Sequence, residues 1–269
     1  MKLFSRVKLE CCAVSHVGRV RGNNEDNFIL TDRWNETSGD YKMDARRMAV
    51  SRGKWLVLGV FDGMGGGEMG EAASRAASMR FLALQRMLKR CPPERLSSLV
   101  RRAFQDANND IVALQEQAAV FGTTATVLCT NGEAFRIWHQ GDSRAYLLRG
   151  GILRQLTEDQ TLAQMKIRVG LCRADDPKLE PDRHKLTDYV GKDWTKENLR
   201  PAESDWLQLQ WGDRLLLCSD GLYDMVPEAA IAARLADSPM AEAAASALVE
   251  AALRGGGGDN VTCLTAFWD

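Results

Sequence analysis

At 269 residues, with 45% apolar and 26% charged side chains, the chain has ordinary globular composition and lies within the range of one domain. Its net charge of −1 excludes a general attraction to nucleic acid or to an anionic membrane; only a local patch would supply one. Apolar runs such as WLVLGVF are too short to cross a bilayer, and the charged start MKLFSRVKLECC is unlike a signal peptide, so a cytoplasmic protein is expected.

Strand-like runs come first: KLECCAVSHVG, NFILTD and KWLVLGVFD. Between the last two, RWNETSGDYKMDARRMAVSRG is polar and charged and reads as an inserted hairpin or loop, roughly over 34–53. Two helical patterns follow. The first covers about 70–89. In the second, Leu96, Leu99, Val100, Ala103, Phe104, Ala107, Ile111 and Leu114 recur at helical spacing, and Cys91-Pro92-Pro93 separates the two. So short a break predicts an antiparallel helix pair on one face of a sheet. From Gly122 the period becomes two. TTATVLCT, EAFRIWHQ, RAYLLRG and ILRQLT, divided by Asn131-Gly132, Gly141-Asp142 and Gly150-Gly151, predict an antiparallel meander. A short helix over about 158–169, an irregular flap over 172–205, and strands at WLQLQ and DRLLLCS come next. Two helices over roughly 227–253 and a last strand, NVTCLTAFW, complete the chain. With no repeat and no linker, residues 1–269 read as a single α+β domain.

The seven cysteines are scattered and odd in number, without a C-x-x-C pair, which argues against disulfides and structural zinc. Cys129, Cys218 and Cys263 lie in apolar runs, where buried free thiols are common, and none of the seven sits in a phosphate-cradling loop. His16, His139 and His184 are too few for histidine-rich zinc chemistry. The plentiful aspartates favour magnesium or manganese.

The stretch GVFDGMGGGEMGEAAS fits two chemistries. Gly65, Gly67 and Gly70 spell G-x-G-x-x-G between a strand and a helix, as a dinucleotide site requires. Such a site also needs an acid about twenty positions on, where this chain reads LALQRMLKR, and Glu68 would repel a pyrophosphate at the helix start. No G-K-[ST] follows either. A metal site instead needs carboxylates converging from distant turns. Glu25 and Asp26 precede a strand, Asp62 ends one, Asp142 and Asp220 follow strands, and Asp259 begins the last. Each taken singly also fits an aspartate that caps its own turn.

VRGNNEDN, FDGMGGGEMGEAAS, GTTAT, GDSRAYLLRGG, LLLCSDGLYD and GGGGDNVT stand in the order and approximate spacing of the metal-dependent protein serine/threonine phosphatases, the type 2C family. The chain resembles the bacterial members most, over nearly its whole length. The resemblance implies an αββα sandwich, in which two facing antiparallel sheets are each flanked by a helix pair. It also implies hydrolysis of phosphoserine and phosphothreonine in proteins, a serine/threonine kinase and its targets as partners, and a monomer.

By that resemblance Asp62 bridges two Mn2+ or Mg2+ ions; the Gly63 carbonyl, Asp220 and Asp259 complete one of them, and Glu25 and Asp26 act through waters. A water shared by two cations would attack the phosphate directly, without a phosphoenzyme. Arg21 matches the phosphate-binding arginine, whose planar fork holds two oxygens. Asp142, with Asp220, resembles a third metal site. Met64 stands where eukaryotic members have histidine, and Gly67 where bacterial relatives usually do, so the leaving group's proton donor is unassigned. His139 and His184 receive no catalytic role. The alternatives are an inactive binding module of the same fold, or a phosphatase of small phosphorylated molecules. Retention of every expected acid disfavours the first.

Overall fold

In the first strand, Leu9, Cys11 and Ala13 alternate with Cys12 and Val14, and both sets are buried in different clusters. A strand with apolar residues on both faces has to be covered on both sides. That requirement generates the architecture of the computed structural model, which describes residues 7–34, 41–50, 54–66, 68–88, 91–115, 120–193 and 199–268.

Strands β1 (Val7–His16), β2 (Asp26–Leu30), β3 (Arg33–Trp34), β4 (Tyr41–Val50) and β5 (Leu56–Met64) precede helices α1 (Glu68–Met87) and α2 (Pro93–Gln115). Then come β6 (Gly122–Thr123), β7 (Ala125–Thr130), β8 (Ala134–Gln140), β9 (Arg144–Arg149), β10 (Ile152–Gln155) and helix α3 (Leu162–Arg168). Strands β11 (Ala202–Glu203), β12 (Leu207–Gln208) and β13 (Arg214–Cys218) lead to helices α4 (Asp220–Tyr223), α5 (Glu228–Asp237) and α6 (Ala241–Arg254), and to β14 (Val261–Trp268). One sheet has the order β10-β9-β13-β14-β1-β4 and the other β11-β8-β7-β5-β2-β3, with β12 beside β8 and β6 beside β5. The pairings between these strands are antiparallel.

Three apolar layers hold four structural layers together. Leu9, Cys11 and Ala13 meet Phe28, Leu30, Leu58 and Val60 between the sheets. Cys12 and Val14 face Ile231, Leu235 and Leu248 of α5 and α6. Val57, Phe61 and Val127 face α1 and α2, where Phe81 packs on Phe61 and Phe104 at ring-centroid distances of 5.5 and 5.0 Å. Burying each such ring contributes on the order of 2–3 kcal/mol. The expected αββα sandwich is therefore present. Among the described residues, no helix is long and apolar enough to cross a membrane.

The helix break forms as expected. Pro93 opens α2, where its missing N–H leaves no bond unmade, and the Trp55 indole donates to the Cys91 carbonyl at 2.9 Å to fix the break against the sheet. Two expectations need correction. The segment over 34–53 is not a simple insertion: β3 pairs with β2, while β4 runs ten residues beside β1 as an edge of the other sheet. Residues 35–40 and 51–53 of it lie outside the described residues. The meander is also not one sheet, because β7 and β8 belong to one and β9 and β10 to the other. The chain changes sheets at Gly141, whose φ of 107° a side chain would resist. Within 172–205 the flap contains a 3-10 turn (Pro177–Asp182) and ends in β11; residues 194–198 lie outside the described residues.

Candidate metal centre

The site forms where strand ends of the two sheets approach each other. Asp26 at the start of β2 lies directly opposite Asp62 of β5 in the antiparallel register. The Asp62 backbone is fixed from both sides: its N–H donates to Thr124 Oγ1 at 3.0 Å, and its carbonyl accepts from Thr124 N–H at 2.8 Å and Thr123 Oγ1 at 2.9 Å. Next to it, the Gly63 N–H donates to the Glu25 carbonyl at 3.2 Å. A Cβ on Gly63 would lie 2.2 Å from the Gly70 carbonyl oxygen, and one on Gly70 would lie 1.8 Å from Glu25 Oε2. The glycines of the Asp-Gly loop thus let the start of α1 rest against backbone and against Glu25, a packing role rather than a nucleotide one.

Asp142 enters at the sheet change. Gly141 N–H donates to Gln160 Oε1 at 2.9 Å and its carbonyl accepts from Gln160 N–H at 2.8 Å, pinning the turn. Tyr223 donates its hydroxyl to the Asp142 carbonyl at 3.1 Å, and Arg144, held by both oxygens of Asp159, stacks 3.6 Å from the Tyr223 ring centroid. Asp220 opens α4 immediately after β13, and Asp259 precedes β14. These acids meet around a cleft of about 460 Å³, whose lining includes Arg21, Glu25, Asp62, Gly63, Met64, Asp142, Asp220 and Asp259. Asp26 lies behind it, beside Asp62. All the predicted site residues therefore gather in one place. Gly67 lies outside the described residues.

The carboxylates of the cleft repel one another. Burial raises the Asp62 carboxyl well above its usual range, and the negative charges of Asp26, Asp220, Asp142 and Asp259 add to the rise. Asp142 is raised by burial and then by Asp220 and Asp159, with His184 partly opposing. Burial brings Asp26 up to about 7 against the Ser219 hydroxyl, which donates to its Oδ2 at 2.7 Å. Its Oδ1 is buried without a hydrogen-bond partner. Buried like-charged carboxylates with an orphaned oxygen fit divalent cations with hard oxygen preference. Arg21 does not fill that need. Its Nη2 donates to Asp259 Oδ2 at 2.6 Å from the rim, where its side chain is 53% exposed.

Residues 5–166 match the family described as protein phosphatase 2C. The chain belongs to this family. It is 33% identical over 261 residues to the serine/threonine protein phosphatase PstP of Mycobacterium tuberculosis, covering 96% of this chain and 45% of that protein. The chain thus spans under half the length of that relative. It is 31% identical to the serine/threonine phosphatase stp of Listeria innocua, covering 92% of this chain and 91% of that one. A crystal structure of the PstP catalytic domain in complex with 2 manganese ions superposes with a TM-score of 0.77 at 32% identity, over 97% of this chain and 99% of that one.

Within this phosphatase 2C site, sequence reasoning missed several residues. Asn260 ties distant loops together, donating to the Val17 and Asn23 carbonyls at 2.8 and 2.9 Å and accepting from Glu25 N–H at 2.8 Å. Ser219 holds Asp26. His184, assigned no role from the sequence, comes from the flap to the cleft wall, with Nδ1 3.6 Å from Asp220 Oδ2 and 3.7 Å from Asp224 Oδ2. Asp220 and then Asp224 push its imidazole up to about 9, against burial. Asp224 was detectable: it stands one helical turn after Asp220 in SDGLYD, so both face the same side. The cysteines stay out of the chemistry. Burial pushes Cys218 up to about 12 and raises Cys129 and Cys263 well above their usual range.

Proposed function

We propose that this chain hydrolyses phosphoserine and phosphothreonine in proteins, with manganese or magnesium bound in the carboxylate cleft. The observation that carries the reading is the orphaned, buried Asp26 Oδ1 beside Asp62, in a ring of acids whose mutual repulsion a bound cation relieves. Asp62, the Gly63 carbonyl, Asp220 and Asp259 would hold two ions, with Glu25 and Asp26 around them and Asp142 serving a third. Such ions supply Lewis-acid charge and a water of lowered pKa.

The chain's own residues do the rest. Arg21 projects from the rim, where a guanidinium fork can take two oxygens of a phosphate monoester. The cleft lining contains no cysteine, and Thr124 Oγ1 is already engaged by Asp62 N–H and the Ser143 hydroxyl. In this reading water, not a side chain, would attack the phosphorus, without a phosphoenzyme. An inactive binding module would have no use for buried, mutually repelling acids, which are costly to keep. In this reading the partners are phosphoproteins, a serine/threonine kinase and its targets among them, met in the cytoplasm by a monomer.

A panel of phosphoserine, phosphothreonine and phosphotyrosine peptides, assayed with manganese and with chelator, tests the reading. Chelation should abolish phosphate release, and Asp62→Asn should do so in a chain that still folds. Full turnover in excess chelator would sink it.

A further inference from the structure

The loop before β2 and the loop before β14 are joined into one unit. Asn260 bonds to Val17, Asn23 and Glu25, and Arg19 N–H donates to the Gly257 carbonyl at 2.7 Å. Arg21 lies within this staple, which holds its backbone close to Asp259. Its Nη2 donates to Asp259 Oδ2 at 2.6 Å, and Asp259 Oδ1 accepts from the Asn260 N–H at 2.8 Å. Both oxygens of this acid therefore have a donor from within the chain.

A cation approaching Oδ2 meets the guanidinium on the same oxygen. The two positive groups repel at contact distance, so each weakens the other's hold on Asp259. The pair is able to open: the side chains of Arg21 and Asp259 are 53% and 38% exposed, and screened pairs of this kind are weak. Once released, the same planar fork suits the oxygens of a phosphate as well as it suited a carboxylate.

We propose that Arg21 is a tethered counter-cation that competes with a divalent cation for Asp259, so that loading the centre frees the guanidinium for the substrate phosphate. This rests on the metal-centre reading above. It has a reciprocal consequence: a phosphate that holds Arg21 leaves Asp259 open to the cation, so each ligand tightens the other.

Calorimetric titration of the full chain with manganese chloride, at fixed pH and salt, compares the parent with Arg21→Ala, Arg21→Gln and Arg19→Ala. Arg19 is the control, a like charge on the same loop whose backbone makes the loop contact. Both Arg21 variants should bind manganese about two- to fivefold more tightly, the size of a lost exposed ion pair. Arg19→Ala should gain less. Inorganic phosphate, kept below precipitation, should tighten manganese binding in the parent and do so less in the Arg21 variants. Unchanged or weaker manganese binding by whichever Arg21 variant folds overturns the proposal. So does an equal gain in Arg19→Ala, which would reflect the general field of the loop. A parent chain that binds no manganese overturns the metal-centre reading along with it, whereas a manganese-binding parent with unresponsive variants overturns this proposal alone.

Discussion

Asp26 makes a thermodynamic demand that can be measured. It is 3% exposed; Ser219 donates to Oδ2, the Thr262 hydroxyl also eases the ionised form, and Oδ1 has no hydrogen bond of normal geometry. Burial raises its carboxyl from 3.8 to about 7, with Asp220 and Asp259 adding to the rise. The folded chain therefore holds this proton more tightly than the unfolded chain does. The stabilisation is complete below pH 3.8, the unfolded value, and is lost as pH rises through about 7. A rise of about 3 in pKa, at ~1.4 kcal/mol each, amounts to a loss on the order of 4 kcal/mol over that window.

Asp26→Asn isolates this effect, because the amide oxygen still accepts from Ser219 and has no carboxyl proton to lose. Comparison with the parent is needed because other groups act in the opposite direction; Lys166 and Lys185 hold Asp182 below its usual range, for example. Urea unfolding in chelator, at about pH 5 and about pH 8, should show the parent losing roughly 2.5–3 kcal/mol more than the variant. Saturating manganese should remove the difference, since a bound cation favours the ionised carboxylate. Parallel pH profiles for parent and variant in chelator would mean that Asp26 ionises normally in the fold, and would refute the reasoning.

Asp142→Asn should melt no lower than the parent at neutral pH in chelator, because Tyr223 holds the backbone carbonyl and not the carboxylate, and the amide removes one of the repelling acids. Its phosphopeptide turnover at saturating manganese should nonetheless fall at least ~10-fold if the carboxylate helps the transition state; parental turnover would leave Asp142 a turn residue. Gly63→Ala forces a Cβ to within 2.2 Å of the Gly70 carbonyl oxygen, so denaturation should show a loss of about 1–3 kcal/mol and titration a weaker manganese site. Unchanged stability and affinity would show that α1 does not rest on Gly63 as described.

The sequence made the acids legible and hid what holds them. Asp62, Asp142, Asp220 and Asp259 each stand at a strand–turn junction, a pattern visible within a few residues. Asn260 and Ser219 act on partners far away in the chain, Asn23 and Asp26, and no local period encodes such a reach. His184 lies in the flap, where the spacing has no period at all. β4 reads as polar loop because an edge strand tolerates charge where a central strand does not.

The change of sheet at Gly141 was hidden for a further reason. Alternation with period two fixes which faces of a strand are buried, but not which neighbour it pairs with. TTATVLCT, EAFRIWHQ, RAYLLRG and ILRQLT therefore look alike whether they form one meander or two hairpins in facing sheets. Burial on both faces decides between these. A meander of four strands in one sheet would leave the intersheet face of β1, β13 and β14 short of partners, whereas splitting it places β8 and β9 on opposite sides of the same apolar layer. The crossing turn must then pass the strand ends that bear Asp62 and Asp220. The position of Asp142 in the cleft follows from how the core is closed, and the ligand role proposed for it would be a consequence of topology as much as of its side chain.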